Sequence, residues 1–212
     1  MISSARRQSV SPFAVLGLAA ALAASAATTA TAAEKVLHAF QGGSDGAQPS
    51  GGLVADQNGN LYGPTEGGGT GTECDGNTGC GTLFKIAKDG GETVLYSFQG
   101  GSDGISPIGS LLIDNSGNLY GATQGGAGSG CAGYGCGTVF KLATDGTETV
   151  LYAFQGGSDG QLPAGGLIAD TSGNLYGLTG QGGDLNGSEC AEVGGCGTVY
   201  EVQPNGTKIT LY

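Results

Sequence analysis

The chain has 212 residues, 46 of them glycine, and carries 18 acidic side chains against seven basic ones, for a net charge of −11. Such an acidic chain lacks the basic patches that bind phosphate backbones, which excludes nucleic acid as a partner. Past residue 33 no apolar run approaches the roughly 18 residues of a membrane helix, so no membrane span is predicted.

The first 33 residues have the pattern of a secretory signal peptide. Arg6 and Arg7 form a positive head, 13–27 is an apolar run too short to span a bilayer, and small residues at 30–33 supply a cleavage site. We therefore predict a signal peptide at 1–33, a β-repeat domain at 34–212, and a secreted or cell-surface location, extracellular or periplasmic. The adjacent arginines leave the twin-arginine route open, but general secretion fits the residues that follow them better.

A unit of about 57 residues then recurs three times, as in proteins whose repeats bury their apolar faces against one another. Three phrases mark each copy. They are Phe-Gln-Gly-Gly-Ser-Asp-Gly from Phe40, Phe98 and Phe154; Asp-x-x-Gly-Asn-Leu-Tyr-Gly from Asp56, Asp114 and Asp170; and Cys-Gly-Thr from Cys80, Cys136 and Cys196. We place the repeats at about 36–93, 94–149 and 150–209, with 210–212 as the start of a further strand.

Within one repeat the sequence predicts four β-strands and no helix. In the second copy, short β-forming runs cover 92–98, 110–114, 118–123 and 137–142. The segment 114–118 predicts a tight hairpin, in which the aspartate accepts from its own downstream amides and a glycine supplies a positive φ. Asp-Gly or Asn-Gly pairs follow the fourth run of each copy. The fold class is therefore all-β.

Four-stranded units in tandem fit the blades of a β-propeller, of which three would be only a part. Three explanations stay open: two chains close a six-bladed ring, the chain is a piece of a longer array, or the units close as a β-trefoil. Trefoil units are usually shorter, so blade-like repeats are preferred. An open array would leave apolar end faces and strand edges, which favours self-association.

The repeated phrases, read together as G-C-G-T-V-F-K-L, D-G-T-E-T-V-L-Y-A-F-Q-G-G-S-D-G and G-N-L-Y-G, closely resemble the GloVer (Gloeo/Verruco) tandem repeat, a family of exported bacterial proteins. The resemblance covers about 36–212. It implies an extracellular, blade-like β repeat and implies no particular reaction.

The six cysteines form one local pair in each repeat, always just before the same Gly-Thr. The pairs are Cys74 with Cys80, Cys131 with Cys136, and Cys190 with Cys196. In an exported chain this arrangement predicts disulfides. Zinc is the rival interpretation, but the spacing varies and no histidine lies nearby, so a structural role is preferred.

No catalytic residue is predicted. His38 is the only histidine, and its equivalents in the other repeats are Tyr96 and Tyr152, so the position is expected to need a flat side chain on a strand. With no second histidine available, a Ser-His-Asp hydrolase is disfavoured.

Two sets of aspartates recur, one in the Ser-Asp-Gly turns and one at the start of the hairpin turns. They are Asp45, Asp103 and Asp159, and Asp56, Asp114 and Asp170. Calcium takes six to eight oxygen ligands, and such turns offer several. No complete calcium-loop spacing occurs, however, so backbone capping explains the aspartates better. No metal ligand or cofactor is predicted, with calcium as the alternative.

The repeats differ most around the first cysteine of each pair, at 72–77, 130–134 and 184–193. Variable loops on a repeated scaffold are where ligand contacts usually lie. We therefore predict an exported binding or structural module that engages an unidentified surface, glycan or protein. The alternative is an extracellular carbohydrate-active enzyme, a hydrolase or lyase, which would need a carboxylate pair with a raised pKa. No unique reactive cluster is visible, so no reaction is assigned.

Overall fold

The computed structural model of the protein describes residues 34–74, 78–128, 130–131, 133–184, 190, 192 and 194–212. The signal peptide predicted at 1–33 lies outside the described residues. The fold below is that of the compact unit 36–212. Among the residues described, no helix is long and apolar enough to cross a membrane.

Thirteen strands make up the described fold, and two short 3₁₀ turns (Gly43–Asp45 and Gly157–Asp159) precede the first and third sheets. The strands are β1 (Ala47–Pro49), β2 (Val54–Ala55), β3 (Leu61–Gly67), β4 (Thr82–Ile86), β5 (Glu92–Ser97), β6 (Ile105–Ile113), β7 (Leu119–Gly125), β8 (Thr138–Leu142), β9 (Glu148–Ala153), β10 (Gln161–Ala169), β11 (Leu175–Gln181), β12 (Val199–Val202) and β13 (Lys208–Thr210).

The strands form three antiparallel sheets, each in simple up-and-down order. Sheet 1 contains β1–β5, sheet 2 contains β6–β9 and sheet 3 contains β10–β13. In sheet 1 the first strand is split, since β1 and β2 both pair with β3. The unbroken β6 and β10 have a register irregularity at the corresponding place. The prediction of an all-β fold built from three four-stranded, blade-like repeats is confirmed.

The sheets divide the chain one strand later than the repeats placed from the sequence. The run beginning at Glu92, expected to open the second repeat, pairs with β4 and is the last strand of sheet 1. In the same way β13 pairs with β12 and is the last strand of sheet 3. The reason is the short turn before each of these strands, at 87–91 and 203–207, which folds the chain back on the preceding strand.

The first strand of sheet 2 also begins earlier than expected. In sheet 2 it starts at Ile105 and not at Ser110, and so includes Pro107. A proline fits there because β6 is an edge strand of sheet 2, where its missing N–H breaks no bond of the sheet's own ladder. Gly104, directly before the first residue of β6, has φ 114° and packs on Thr123, so a side chain at this position would collide with Thr123.

Two apolar clusters form the core, and each lies between neighbouring sheets. The first joins Leu83 of sheet 1 to Leu111 and Phe140 of sheet 2. The second joins Val139 of sheet 2 to Tyr200 of sheet 3, among other residues. Each sheet thus covers the apolar face of the next, as stacked repeats require.

The phenylalanines of the second and third Phe-Gln-Gly-Gly-Ser-Asp-Gly phrases link one sheet to the next. Phe98 follows β5 of sheet 1 and meets Phe140 of sheet 2 edge-on, with ring centroids 5.2 Å apart. Phe154 meets Tyr200 of sheet 3 in the same way at 5.0 Å. Edge-to-face pairs of this kind add specific geometry to the buried apolar area.

The outer faces of sheets 1 and 3 remain partly apolar. Leu112 of sheet 2 is partly covered by the second core cluster, whereas its equivalent in sheet 3, Ile168, is 69 % exposed. On sheet 1, Leu53 is exposed beside an open apolar groove of about 410 Å³. The two ends of the stack therefore differ from the covered faces between the sheets.

Candidate functional site

Three disulfides occur, one in each repeat, with the pairing that the cysteine positions predict: Cys74–Cys80, Cys131–Cys136 and Cys190–Cys196. They belong to the connections β3–β4, β7–β8 and β11–β12. Because the strands alternate in direction, these connections leave the sheets at the end opposite to the hairpin turns that begin at Asp56, Asp114 and Asp170. All the disulfide loops therefore lie at corresponding ends of their sheets.

In the first two repeats the second cysteine of the pair anchors its loop to the next sheet. Cys80 and Cys136 are fully buried within the core clusters. The carbonyl oxygen of Cys80 accepts the backbone N–H of Ser106 at 2.9 Å, and that of Cys136 accepts the N–H of Leu162 at 3.0 Å. A disulfide thus holds a variable loop against a fixed point of the scaffold.

The loops themselves are partly outside the described residues, at 75–77, 129, 132, 185–189, 191 and 193. Among the described loop residues, Tyr134 is 39 % exposed, and its hydroxyl lies 3.3 Å from the Ser106 hydroxyl. An exposed aromatic ring with a polar group at its tip is well suited to ligand contact.

The aspartates of the hairpin turns cap their own backbone, as predicted. Asp114 Oδ1 accepts the N–H groups of Ser116 and Asn118 at 2.8 and 2.9 Å, and Oδ2 accepts the Asn118 amide and the Tyr120 hydroxyl at 2.8 and 3.1 Å. Although burial opposes ionisation, these hydrogen bonds lower the pKa of Asp114. Its carboxylate oxygens are already engaged by protein donors.

The other two turns repeat these bonds around Asp56 and Asp170. The Asn60 side-chain amide is the main cause that lowers the pKa of Asp56 to about 2. Between the first two turns lies a polar groove of about 370 Å³, lined in part by Asp56, Asp114 and Thr144. The residues that line it mainly hold the turns in shape.

A second set of carboxylates differs between repeats. In the first repeat, His38 Nε2 lies 3.0 Å from Asp45 Oδ1, and the Gln41 N–H donates to Asp45 Oδ2 at 2.6 Å. Glu92, at the start of β5, brings its carboxylate to the same place, so that the three possible ligand atoms all lie within 4.8 Å of one another. Burial, and then the Asp45 carboxylate, raise the pKa of Glu92.

In the second repeat two carboxylates meet without a histidine. Asp103 Oδ2 accepts the Tyr96 hydroxyl at 2.9 Å and the Gln99 N–H at 2.8 Å. Asp103 Oδ1 and Glu148 Oε1 are buried and have no hydrogen-bond partner among the described residues. Burial, with the Asp103 charge beside it, raises the pKa of Glu148 to about 7.

In the third repeat a lysine takes the place of the glutamate. Lys208 Nζ lies 3.0 Å from Asp159 Oδ1, whose carboxylate also accepts the Tyr152 hydroxyl and the Gln155 N–H. Although burial opposes it, these donors and the ammonium charge lower the pKa of Asp159. In the third repeat, therefore, the charge of the aspartate is compensated by the Lys208 ammonium.

Sequence reasoning found the three aspartates but missed their partners Glu92, Glu148 and Lys208. The sequence does contain a signal for them, because this repeat position changes from Glu in the first two repeats to Lys in the third. His38 was expected on a strand, but 34–41 contains no strand. The ring packs edge-on against Phe40 at 4.8 Å, as Tyr96 packs on Phe98, so the requirement for a flat side chain is met.

The fold defines a stacked, disulfide-stapled β-repeat protein. The chain matches the Gloeobacter/Verrucomicrobia repeat over residues 24–212 and belongs to that family. No curated protein matches it.

Solved structures similar to this chain include a protein proposed to be a gluconolactonase, with 18 % identity and a TM-score of 0.40 over 74 % of this chain and 45 % of that one. A luciferin-regenerating enzyme is similar with 16 % identity and a TM-score of 0.44, over 76 % of this chain and 44 % of that one. The chain thus spans less than half the length of either structure, and likeness at this level carries no functional information.

Proposed function

We propose that this protein is an exported binding module, in which a β-repeat scaffold presents disulfide-held loops to a ligand outside the cytoplasm. The observation that carries the proposal is the contrast between scaffold and loops. The capping aspartates, the edge-on phenylalanines and the disulfides recur in every repeat, whereas the loops at 68–81, 126–137 and 182–198 differ in length and sequence. A fixed frame with variable, anchored loops is the usual arrangement of a binding surface.

The ligand class is an extracellular surface, a glycan or another protein. Its test is binding of the purified protein to immobilised cell-wall polysaccharides and to whole cells. The key variant replaces 132–135 by Ser-Gly-Ser-Gly, which keeps the positive-φ glycines Gly133 and Gly135 as well as Cys131 and Cys136. Binding is expected to fall while the melting temperature stays within a few degrees.

The matched control is Ser116→Ala, in a turn at the opposite end of sheet 2, which is expected to bind as the unaltered protein does. Equal binding by the loop variant and the control would rule out the loops as the contact surface.

Export is supported by the composition of residues 1–33 and by three disulfides, which persist in oxidising compartments. Expression in a bacterial host followed by fractionation tests it. We expect the protein outside the cytoplasm with a new N-terminus close to residue 34. An unprocessed chain that stays in the cytoplasm would overturn the proposed location.

An extracellular carbohydrate-active enzyme is the second candidate, and one observation favours it. Glu148, with its raised pKa beside Asp103, has the protonation behaviour of a general acid. Against this, the unpartnered oxygens of both residues are shielded from solvent, so a polymer cannot reach them in this arrangement. Loss of a polysaccharide-degrading activity in Glu148→Gln would favour the enzyme.

Self-association is also part of the proposal. The apolar outer faces of sheets 1 and 3 are the counterparts of the faces that pack between neighbouring sheets, so a second copy is their natural partner. Sedimentation analysis of the purified protein is expected to show dimers. A monomer at all concentrations would exclude this partner.

A further inference from the structure

One position of the repeat reverses its charge. Glu92, Glu148 and Lys208 each begin the fourth strand of their sheet and pair with the last residue of the third strand. Each of them approaches the aspartate of the Ser-Asp-Gly turn that precedes its own sheet. Backbone position is thus held constant while the group facing the aspartate changes.

The third repeat shows what this position accepts. The Lys208 side chain is only 4 % exposed. Its ammonium lies 2.6 Å from the Asp159 carbonyl oxygen, 3.0 Å from Asp159 Oδ1 and 2.7 Å from Thr210 Oγ1. The fold therefore builds a buried place for a cation, enclosed by oxygen atoms.

In the first repeat a carboxylate, that of Glu92, occupies the position of the Lys208 ammonium. Glu92 Oε1 is buried and has no hydrogen-bond partner among the residues that the structure describes. It stands beside Asp45, while His38 contributes the third group of the cluster. All three residues are partly buried. Two carboxylates brought together in such a place are unfavourable unless a positive charge compensates them.

We propose that His38, Asp45 and Glu92 bind a divalent metal ion at the place where the third repeat holds the Lys208 ammonium. One imidazole nitrogen and two carboxylate oxygens suit zinc, manganese and related ions better than calcium, which prefers oxygen alone.

The separations fit such an ion. Two atoms bound to one zinc ion at about 2.0–2.2 Å lie about 3.3 Å apart. His38 Nε2 and Asp45 Oδ1 are 3.0 Å apart. The whole set lies within 4.8 Å, so a small rotation of the Glu92 side chain completes the set.

The second repeat provides an internal control. There Tyr96 replaces the histidine, so that Asp103 and Glu148 form a carboxylate pair without an imidazole. Such a pair can be satisfied by one shared proton, in keeping with the raised pKa of Glu148. We expect one strong zinc site for each chain, in the first repeat.

The repeats also supply the test variants, since each replacement already occurs at the equivalent position. Glu92→Lys copies Lys208, His38→Tyr copies Tyr96, and Glu148→Lys is the matched control in the second repeat. Zinc is titrated calorimetrically into the purified, chelator-stripped protein. The unaltered protein and Glu148→Lys should each bind one zinc ion. Glu92→Lys should bind none, and His38→Tyr should bind at least about 10-fold more weakly.

A second readout identifies the ligand. Because His38 is the only histidine, an untagged protein gives a single pair of imidazole nitrogen signals in nuclear magnetic resonance. Zinc should shift the Nε2 signal of the unaltered protein and leave that of Glu92→Lys in place. Zinc should also raise the melting temperature of the unaltered protein and of Glu148→Lys, and leave that of Glu92→Lys unchanged.

Three results would overturn the proposal. They are the absence of zinc binding by the unaltered protein, equal binding by Glu92→Lys, and loss of binding in Glu148→Lys. Since Glu92→Lys places an ammonium beside Asp45 as the third repeat does beside Asp159, it should fold without metal, and its melting temperature verifies this.

Discussion

Glu148 and Lys208 occupy the same position in consecutive sheets, yet they present opposite charges to the aspartates beside them. Lys208 pairs with Asp159, whereas Glu148 raises the local negative charge next to Asp103. The scaffold around both positions is the same antiparallel pairing of third and fourth strands. The repeat therefore tolerates a side chain of either charge at this position. Where that side chain is a carboxylate, a proton or a bound ion must compensate the two neighbouring negative charges.

The carboxyl group of Glu148 makes the protein less stable as the pH rises. Its pKa is about 7 in the folded protein, because of burial and the nearby Asp103, against an ordinary value of 4.5. The folded state binds the proton more tightly, so the stability from this site is complete below pH 4.5 and is lost as the pH rises to about 7. For a half-buried group screened by solvent, we expect a loss of about 1 kcal/mol.

Chemical denaturation between pH 4.5 and 8, in the presence of a chelator, measures this effect. Glu148→Gln should lose less free energy of unfolding over that range than the unaltered protein. Glu201→Gln, on the third strand of sheet 3, serves as the control and should follow the unaltered protein. A Glu148→Gln profile parallel to the unaltered one would contradict the prediction.

Asp114 stabilises its hairpin turn through four hydrogen bonds. Replacement by alanine leaves the donors of Ser116, Asn118 and Tyr120 without their common acceptor. We expect the free energy of unfolding at pH 7 to fall by about 1–2 kcal/mol. Because the hydrogen bonds hold the pKa of Asp114 below 3.8, its contribution is present above that value and is lost as the pH falls through the folded pKa.

Urea denaturation at pH 7 and in acid compares Asp114→Ala with Asn115→Ala. The Asn115 side chain lies on the same turn and is exposed, so its removal should change stability little. The two variants should differ at pH 7 and converge in acid. A deficit for Asp114→Ala that persists at low pH would show that the carboxylate charge is not the cause.

What could be read from the sequence was local. The Asp114 turn spans five residues and the Cys131–Cys136 bridge six, so their residue types specify their geometry without knowledge of the fold. The place where a sheet begins was not readable in this way, because a tandem repeat has no marked starting point. The Asp-Gly turn before β9 did contain the information, since a tight hairpin pairs the strands on both sides of it.

Contacts between distant parts of the chain were missed for a physical reason. Lys208 and Asp159 are 49 residues apart, and nothing in either local segment indicates the other. Asp159 lies in the turn before sheet 3, and Lys208 begins the last strand of that sheet. The two side chains come together only when the whole sheet has formed. The candidate metal site likewise requires sheet 1 to be formed, because Asp45 precedes that sheet and Glu92 begins its last strand.

The disulfides are expected to add stability individually. Closing a loop of six residues restricts the unfolded chain by about 2 kcal/mol. For a domain of this size, that corresponds to about 4–8 °C in melting temperature. Replacing Cys131 and Cys136 together by alanine should lower the melting temperature by this amount and leave the other two bridges intact. An unchanged value would show that the bridge does not constrain the unfolded state.

The buried threonine pair in sheet 2 gives an asymmetric prediction. Thr123 Oγ1 donates to the Gly125 carbonyl at 2.8 Å, accepts the Thr138 N–H at 3.0 Å and lies 2.9 Å from the Thr138 hydroxyl. Thr123→Val leaves both the N–H and the hydroxyl of Thr138 buried without this partner. We expect it to reduce the free energy of unfolding by about 2–3 kcal/mol.

Thr138→Val removes only one of these bonds and keeps the two that Thr123 makes to the backbone, so its cost should be about 1 kcal/mol or less. Both side chains are fully buried and both replacements preserve shape, so packing cannot account for a difference. Denaturant titration of the two variants measures it directly. Equal losses would mean that the Thr123 oxygen is not the centre of this network, since only its position as shared acceptor makes the two changes unequal.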